Sequence, residues 1–169
     1  MEDSLDEFAE DLQEVIIRDA RAYYTEKVVD LWLHPQNMGP LEWPDGYAKI
    51  KGPCGDTMEI FLRINKDRIT EATFLTDGCG PSLAAGSMAT QLATGKTLDE
   101  AKTITQEIIL DALGGLPEES QHCALLAAST LTEAIRSYFS TKAARKGSPA
   151  TDQSSGLNSA MSAEEPRDS

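Results

Sequence analysis

The sequence predicts an α+β fold in which a three-stranded antiparallel sheet carries helices packed on it. Residues 46–51 and 58–65 alternate apolar and polar side chains, the latter through Met58, Ile60, Leu62 and Ile64, and residues 69–75 are rich in β-branched and apolar types. That is strand patterning, with successive side chains on opposite faces. The links between these runs are short and turn-like, so neighbouring strands pair as hairpins in a meander. Before and after this block the apolar residues recur every three or four positions, the helical period, and a sheet with one apolar face needs such cover.

The chain has 169 residues, enough for one domain with tails and a real core. Its formal charge of −13, from 15 basic and 28 acidic side chains, opposes general nucleic-acid binding and docking on an anionic membrane. No apolar run approaches the ~18 residues of a membrane span. The beginning, Met1-Glu2-Asp3-Ser4-Leu5-Asp6, is acidic where a presequence is basic. Three cysteines, an odd number, suit a reducing compartment better than a disulfide framework. A soluble, cytoplasmic protein is expected.

Residues 4–33 read as helix through Leu5, Phe8, Leu12, Val15 and Ile16, with Ser4 as cap. Tyr24, Val28 and Leu31 lie on a rotated face, so either two helices or one helix broken near residues 19–22 is expected. His34-Pro35 ends the segment, because proline disfavours helix at the residue before it. Trp32 and Trp43 read as packing groups, and His34 as a surface loop residue. Residues 65–68, Asn-Lys-Asp-Arg, form a hairpin loop. Pro81 suits a first helical turn, and Ala84, Ala85, Gly86 and Ala89 keep one side of that helix thin. Thr97-Leu98-Asp99-Glu100 has capping-box spacing. An apolar run over residues 108–113 breaks at Gly114-Gly115, and a last helix starts between Pro117 and His122 with Cys123, Ala127, Leu131, Ala134 and Tyr138 facing inward. After about Thr141 large apolar residues vanish, and a disordered tail is expected over residues 141–169.

Each cysteine sits where one element gives way to another. Cys54 lies in the turn Gly52-Pro53-Cys54-Gly55-Asp56, Cys79 in Asp77-Gly78-Cys79-Gly80-Pro81, and Cys123 follows His122. Three soft thiols, an imidazole and a carboxylate make a metal or cluster site the hypothesis to test. Cys79 and Cys123 fall near helix N-termini, where exposed amides and the dipole favour thiolate. Asp56 can face the same side of the turn as Cys54. His122 and Cys123 point roughly 100° apart on a regular helix, so they share a site only at an irregular or capping start. Cys123 also fits a small buried hydrophobe on the apolar stripe. No pair has the Cys-x-x-Cys spacing of common zinc modules, so spacing alone leaves both readings open.

Taken together, Tyr24-x-x-Lys27-Val28-x-Asp30, Pro35-x-Asn37-x-Gly39, Pro53-Cys54-Gly55-Asp56, Gly78-Cys79-Gly80, Gly95-Lys96-Thr97-Leu98-Asp99-Glu100-Ala101 and His122-Cys123-x-x-Leu126-Ala127 resemble the IscU/NifU-type iron–sulfur cluster assembly scaffold. The resemblance covers about residues 22–140, leaving 1–21 as an N-terminal helical extension. It implies the same α+β domain, with Cys54, Cys79 and Cys123 as sulfur-accepting and cluster-binding thiols and Asp56 and His122 beside them. It further implies a non-enzymatic scaffold that takes sulfur from a cysteine desulfurase, assembles a [2Fe–2S] or [4Fe–4S] cluster and passes it to apo-proteins. Zinc can occupy the same ligands in this family. The sequence leaves open whether the N-terminal extension mediates a homodimer or only lengthens the first helix.

The family's chaperone-recognition stretch, Leu-Pro-Pro-Val-Lys, stands here as Leu116-Pro117-Glu118-Glu119-Ser120, so docking of a dedicated Hsp70-type chaperone is not expected. A zinc-dependent sulfur relay of the SufU type is one alternative. Such chains carry an insertion between the second and third cysteines and lack the histidine before the last one, whereas His122 is present here. A structural zinc domain is the other alternative, and it would close its site to solvent.

Overall fold

Met58, Ile60 and Leu62 are wholly buried on one side of the central strand, and the rest of the chain is arranged to cover them. The computed structural model describes residues 2–147, with residues 2 and 3 described by backbone alone. The order of elements is α1 (Glu2–Tyr23), α2 (Glu26–Leu33), β1 (Gly46–Lys51), β2 (Thr57–Asn65), β3 (Arg68–Thr76), α3 (Gly80–Ala93), α4 (Leu98–Ala101), α5 (Gln106–Leu113) and α6 (Gln121–Gly147). A short 3-10 turn, Glu118–Ser120, leads into α6. The sheet order is β1-β2-β3, antiparallel throughout, with Gly46 opposite Leu62 and Met58 opposite Thr76.

Between β2 and β3, Lys66 and Asp67 both adopt positive φ, 49° and 59°. Two such residues make the type I′ turn whose twist matches a two-residue hairpin, and the loop expected at residues 65–68 is met. Helix α6 packs along β1 and β2, while α3 packs on β3 and against α2 and α6. The other sheet face is polar and partly open: Lys49 pairs with Glu59 at 3.0 Å and Arg63 with Glu71 at 3.3 Å. The free edge of β3 is covered at two points. The Phe74 amide donates to Asn37 O and its carbonyl accepts from Gly39, and Ile69 does the same with Lys96 and Gly95. Pairing of this kind blunts an edge that would otherwise recruit other strands.

Close approach of α3 to the sheet depends on small residues. A Cβ on Gly86 would lie 2.4 Å from the ring of Phe74, which is wholly buried. Gly86→Ala gains about 1 kcal/mol in helix propensity but must displace a ring with no free space, at ~1–3 kcal/mol. A net loss is expected, seen as a lower urea midpoint at unchanged slope. A higher midpoint would mean that the ring can move aside.

Four sequence expectations change here. Of the two alternatives the chain takes two helices, parted not at residues 19–22 but at Thr25, whose hydroxyl accepts from the Val28 amide at 3.3 Å and donates to Leu113 O at 2.7 Å. That one side chain both caps α2 and ties it to α5, whereas residues 19–22 lack such a stop. Ser4 does not cap α1, which already begins at Glu2. Trp43 is 89% exposed on a residue with φ of 53°, so it packs on nothing, whereas Trp32 stands edge-on to Tyr24 at 6.3 Å. Helix α6 runs past Thr141 to Gly147, because Lys142, Ala143, Ala144, Arg145 and Lys146 are good helix formers with cations at the negative helix end. The remainder of the tail expected to be disordered, 148–169, lies outside the described residues. On α1, Leu5, Phe8, Leu12, Val15 and Ile16 are all exposed, so its apolar stripe covers no part of the core.

Candidate metal centre

In a meander, the β1–β2 turn and the end of β3 fall at the same end of the sheet. The start of α3 follows β3 there, and the start of α6 joins it. This topology brings three separate stretches, carrying Cys54 with Asp56, Cys79, and His122 with Cys123, to one end of the molecule.

The turn is built by Pro53 and Cys54 at its centre, closed by Gly55 N–H donating to Gly52 O at 3.0 Å, with Gly52 N–H returning to Asp56 O at 2.8 Å. Cys79 is the N-cap residue of α3, with Pro81 in the first turn. Among the described residues, one ligand atom each from Asp56, Cys79 and Cys123 lie within 4.8 Å of one another. The Cys79 thiol donates to Asp56 Oδ2 at 3.9 Å. Gly78 leaves the room: a Cβ there would lie 2.5 Å from that carboxylate oxygen. His122 Nε2 is 3.6 Å from the Cys123 sulfur, at the irregular 3-10-to-α start that a shared site requires. Cys54 stands outside the three-atom group, exposed at the tip of its turn, yet its charge is felt at Cys123.

The arrangement suits a thiophilic metal. A tetrahedral ion with bonds of ~2.0–2.3 Å holds its ligands roughly 3.3–3.8 Å apart, so a small closure of the group accommodates one. Two sulfurs with one carboxylate are a mixed soft and hard donor set.

Ser82 was not among the candidates read from the sequence. Its hydroxyl is wholly buried, 2.9 Å from Asp56 Oδ2 and 3.3 Å from Cys123 Sγ. The signal for it was its place three residues after Cys79, since i and i+3 share a helix face.

The helix-end argument fails for Cys123. Burial pushes its thiol up from 9.0 to about 12, Cys79 and Cys54 add to the rise, and only the Ser82 hydroxyl opposes it. Losing solvent outweighs a helix end whose preceding residues already form a 3-10 turn. Raised above its unfolded value, this thiol contributes stability that is whole below about pH 9 and lost as pH climbs toward 12. The metal-free protein is therefore expected to melt lower across that window, and Cys123→Ala to melt with a flatter pH dependence. Iodoacetamide at pH 8 is expected to label exposed Cys54 and Cys79 well before Cys123, which carries about a thousandfold less thiolate than an ordinary thiol. Peptide mass spectrometry reads the order, and equal labelling of all three would contradict the burial.

Residues 23–145 match the NifU-like N terminal domain family. The chain belongs to this family. The match starts at the last residue of α1 and leaves the exposed stripe of that helix outside it. Among relatives, the iron-sulfur cluster assembly scaffold protein IscU 1 of Archaeoglobus fulgidus is 44% identical over 117 residues, 69% of this chain and 76% of that one. The iron-sulfur cluster assembly scaffold protein IscU of Escherichia coli K12 is 37% identical over 127 residues, 72% of this chain and 98% of that one. The crystal structure of a nitrogen-fixing NifU-like protein (N-terminal) from Brucella abortus superposes with a TM-score of 0.57 at 19% identity, covering 69% of this chain and 94% of that one, and shares the fold. The α+β architecture expected from the sequence is thus the NifU-like one.

The expected loss of chaperone docking is not borne out by these comparisons. Within residues 116–120, Leu116 and Ser120 are buried, and Glu119 accepts a hydrogen bond from the Tyr23 hydroxyl at the end of α1. Among the described residues no helix is long and apolar enough to cross a membrane.

Proposed function

We propose that this chain is a scaffold on which an iron–sulfur cluster is assembled and from which it is handed to apo-proteins. The observation that carries this reading is the open group of Asp56, Cys79 and Cys123, with Cys54 and His122 at its rim. The scaffold names of the 37–44% identical relatives support it. The scaffold body is α2 to α6, with α1 as an extension.

Exposure divides the work among the thiols. Cys54 and Cys79 are reachable by a donor protein, and Cys123 is not. A cysteine desulfurase presents sulfur as a persulfide. The thiolate of Cys54 attacks the outer sulfur, the donor thiolate leaves, and Cys54 carries the new persulfide. Two electrons from an external reductant then release the sulfur as sulfide. Iron is received by the Cys79 and Cys123 sulfurs and the Asp56 carboxylate, with Cys54 or His122 completing its shell. The Cys123 thiol must lose its proton to become a ligand, so loading releases a proton and strengthens with pH. Either a [2Fe–2S] or a [4Fe–4S] product suits thiolate ligation, and zinc competes for the same atoms. A carrier role, rather than turnover, matches a site that ends in a ligand set, and the three free thiols suit the cytoplasm.

Exposed Cys79 disfavours a structural zinc domain, which seals its ligands away from solvent. His122 beside Cys123 favours the scaffold over the SufU-type relay. Anaerobic reconstitution with iron, cysteine and a desulfurase tests the reading. Sulfide-to-iron charge-transfer absorption and a cluster Mössbauer signal are expected, and tight zinc retention with neither signal would overturn it.

A further inference from the structure

Ser82 touches all three donors of the close group, Asp56, Cys79 and Cys123. It lies in the first turn of α3, wholly buried, with its hydroxyl 2.9 Å from Asp56 Oδ2, 3.3 Å from Cys123 Sγ and 3.9 Å from Cys79 Sγ. Few polar side chains are so completely buried here, and most others answer to the main chain. Thr90 and Thr130, for example, donate to carbonyls of their own helices. Ser82 instead spends its hydroxyl across elements.

A hydroxyl has one proton and two lone pairs. It can therefore donate to the carboxylate or to the Cys123 sulfur, but not to both. The carboxylate is the closer and more basic acceptor, and a hydrogen bond to an ionised group is the stronger one. While the Cys123 thiol keeps its own proton, the Ser82 hydroxyl donates to Asp56, and only a Cys123 thiolate would draw that proton away. Among the described residues the Asp56 carboxylate accepts from Ser82 and, at 3.9 Å, from the Cys79 thiol, and no backbone amide holds it. Once the Cys79 sulfur binds a metal and its proton leaves to solvent, Ser82 is the remaining donor.

We propose that Ser82 is a positioning residue that swings the Asp56 carboxylate inward and so sets the spacing at which the site takes up its metal or cluster. Without it, a half-buried carboxylate on a turn relaxes toward water, and the site loses its oxygen donor while keeping both sulfurs. Groups that orient a ligand in this way typically account for ~10–100-fold in metal affinity. The inference rests on the reading above that Asp56, Cys79 and Cys123 form the receiving site.

The test uses the full chain, zinc as the probe in competition with a chelating dye, and a double-mutant cycle. Ser82→Ala is expected to weaken zinc binding ~10–100-fold. Adding Ser82→Ala to Asp56→Ala should change affinity by less than about threefold, because the group it positions is already gone. The cobalt(II)-loaded Ser82→Ala protein should show the d–d spectrum of Asp56→Ala rather than that of wild type, a signature that simple loosening of the helix does not produce. Melting of the metal-free variants checks that they fold. Wild-type affinity in Ser82→Ala, or an equal loss in both backgrounds, overturns the positioning role. If wild type binds zinc and neither Cys79→Ser nor Cys123→Ser weakens it, the site reading itself fails, and this result is separate from the other two.

Discussion

Cys79→Ser and Cys123→Ser are each expected to lose most of their iron and sulfide after anaerobic reconstitution. Each substitution exchanges one of two soft sulfurs within the 4.8 Å group for a hard hydroxyl. Loss of a direct ligand should exceed the ~10–100-fold seen for groups that merely orient one. Cys54→Ser differs, because that residue lies outside the three-atom group. It should slow the arrival of sulfur from a desulfurase and leave loading from free sulfide largely intact. Colorimetric iron and acid-labile sulfide per chain, beside the absorption spectrum, read all three variants. Full content in both Cys79→Ser and Cys123→Ser would end the shared-site account.

Asp56→Ala is expected to load a cluster and release it more slowly, by ~tenfold or more, to an apo-acceptor. A scaffold has to surrender what it builds, and an all-thiolate site holds too firmly. The carboxylate is the hardest donor in the group and the one an incoming client thiolate displaces most readily. Affinity and exit rate respond differently to it. The carboxylate helps hold a lone borderline ion such as zinc, yet it is the weak point around iron already bridged by sulfide. The competing view is that Asp56 only shapes the turn after Cys54, a common use of Gly-Asp. Its backbone does close that turn with Gly52, at 2.8 Å, but its side chain points to Ser82 and Cys79. Transfer rates and melting temperatures of wild type and Asp56→Ala separate the two. Faster transfer with a lower melting point would retire the lability argument.

Much of this was legible because period and turn chemistry agreed. Met58, Ile60 and Leu62 alternate inward as their spacing required, and Lys66 and Asp67 turn the hairpin where the apolar runs stop. The Thr97–Glu100 capping box forms as written, since it needs only local contacts. What the sequence hid depends on distant neighbours. Ser82 matters through Asp56 and Cys123, 26 and 41 residues away, and its i, i+3 step from Cys79 gives a shared helix face but not these contacts. Cys123 carried two opposed signals, an inward stripe and a helix end, and burial won because desolvation acts on the whole thiolate charge. Thr25 outdid residues 19–22 as the helix stop because its hydroxyl also found Leu113 on α5. The apolar stripe of α1 was legible as helix, but not as a face that the core leaves uncovered.

The central claim is that this site builds a cluster in order to give it away. Its most direct measurement loads the wild-type protein with a cluster, adds an apo-ferredoxin-type acceptor and a strong iron chelator, and follows both by circular dichroism and visible absorption. The account predicts that the cluster signal moves from this chain to the acceptor faster than the chelator collects iron, with both iron and sulfide accounted for in the product. A cluster that stays put, or that reaches the acceptor only as free iron intercepted by the chelator, would contradict it.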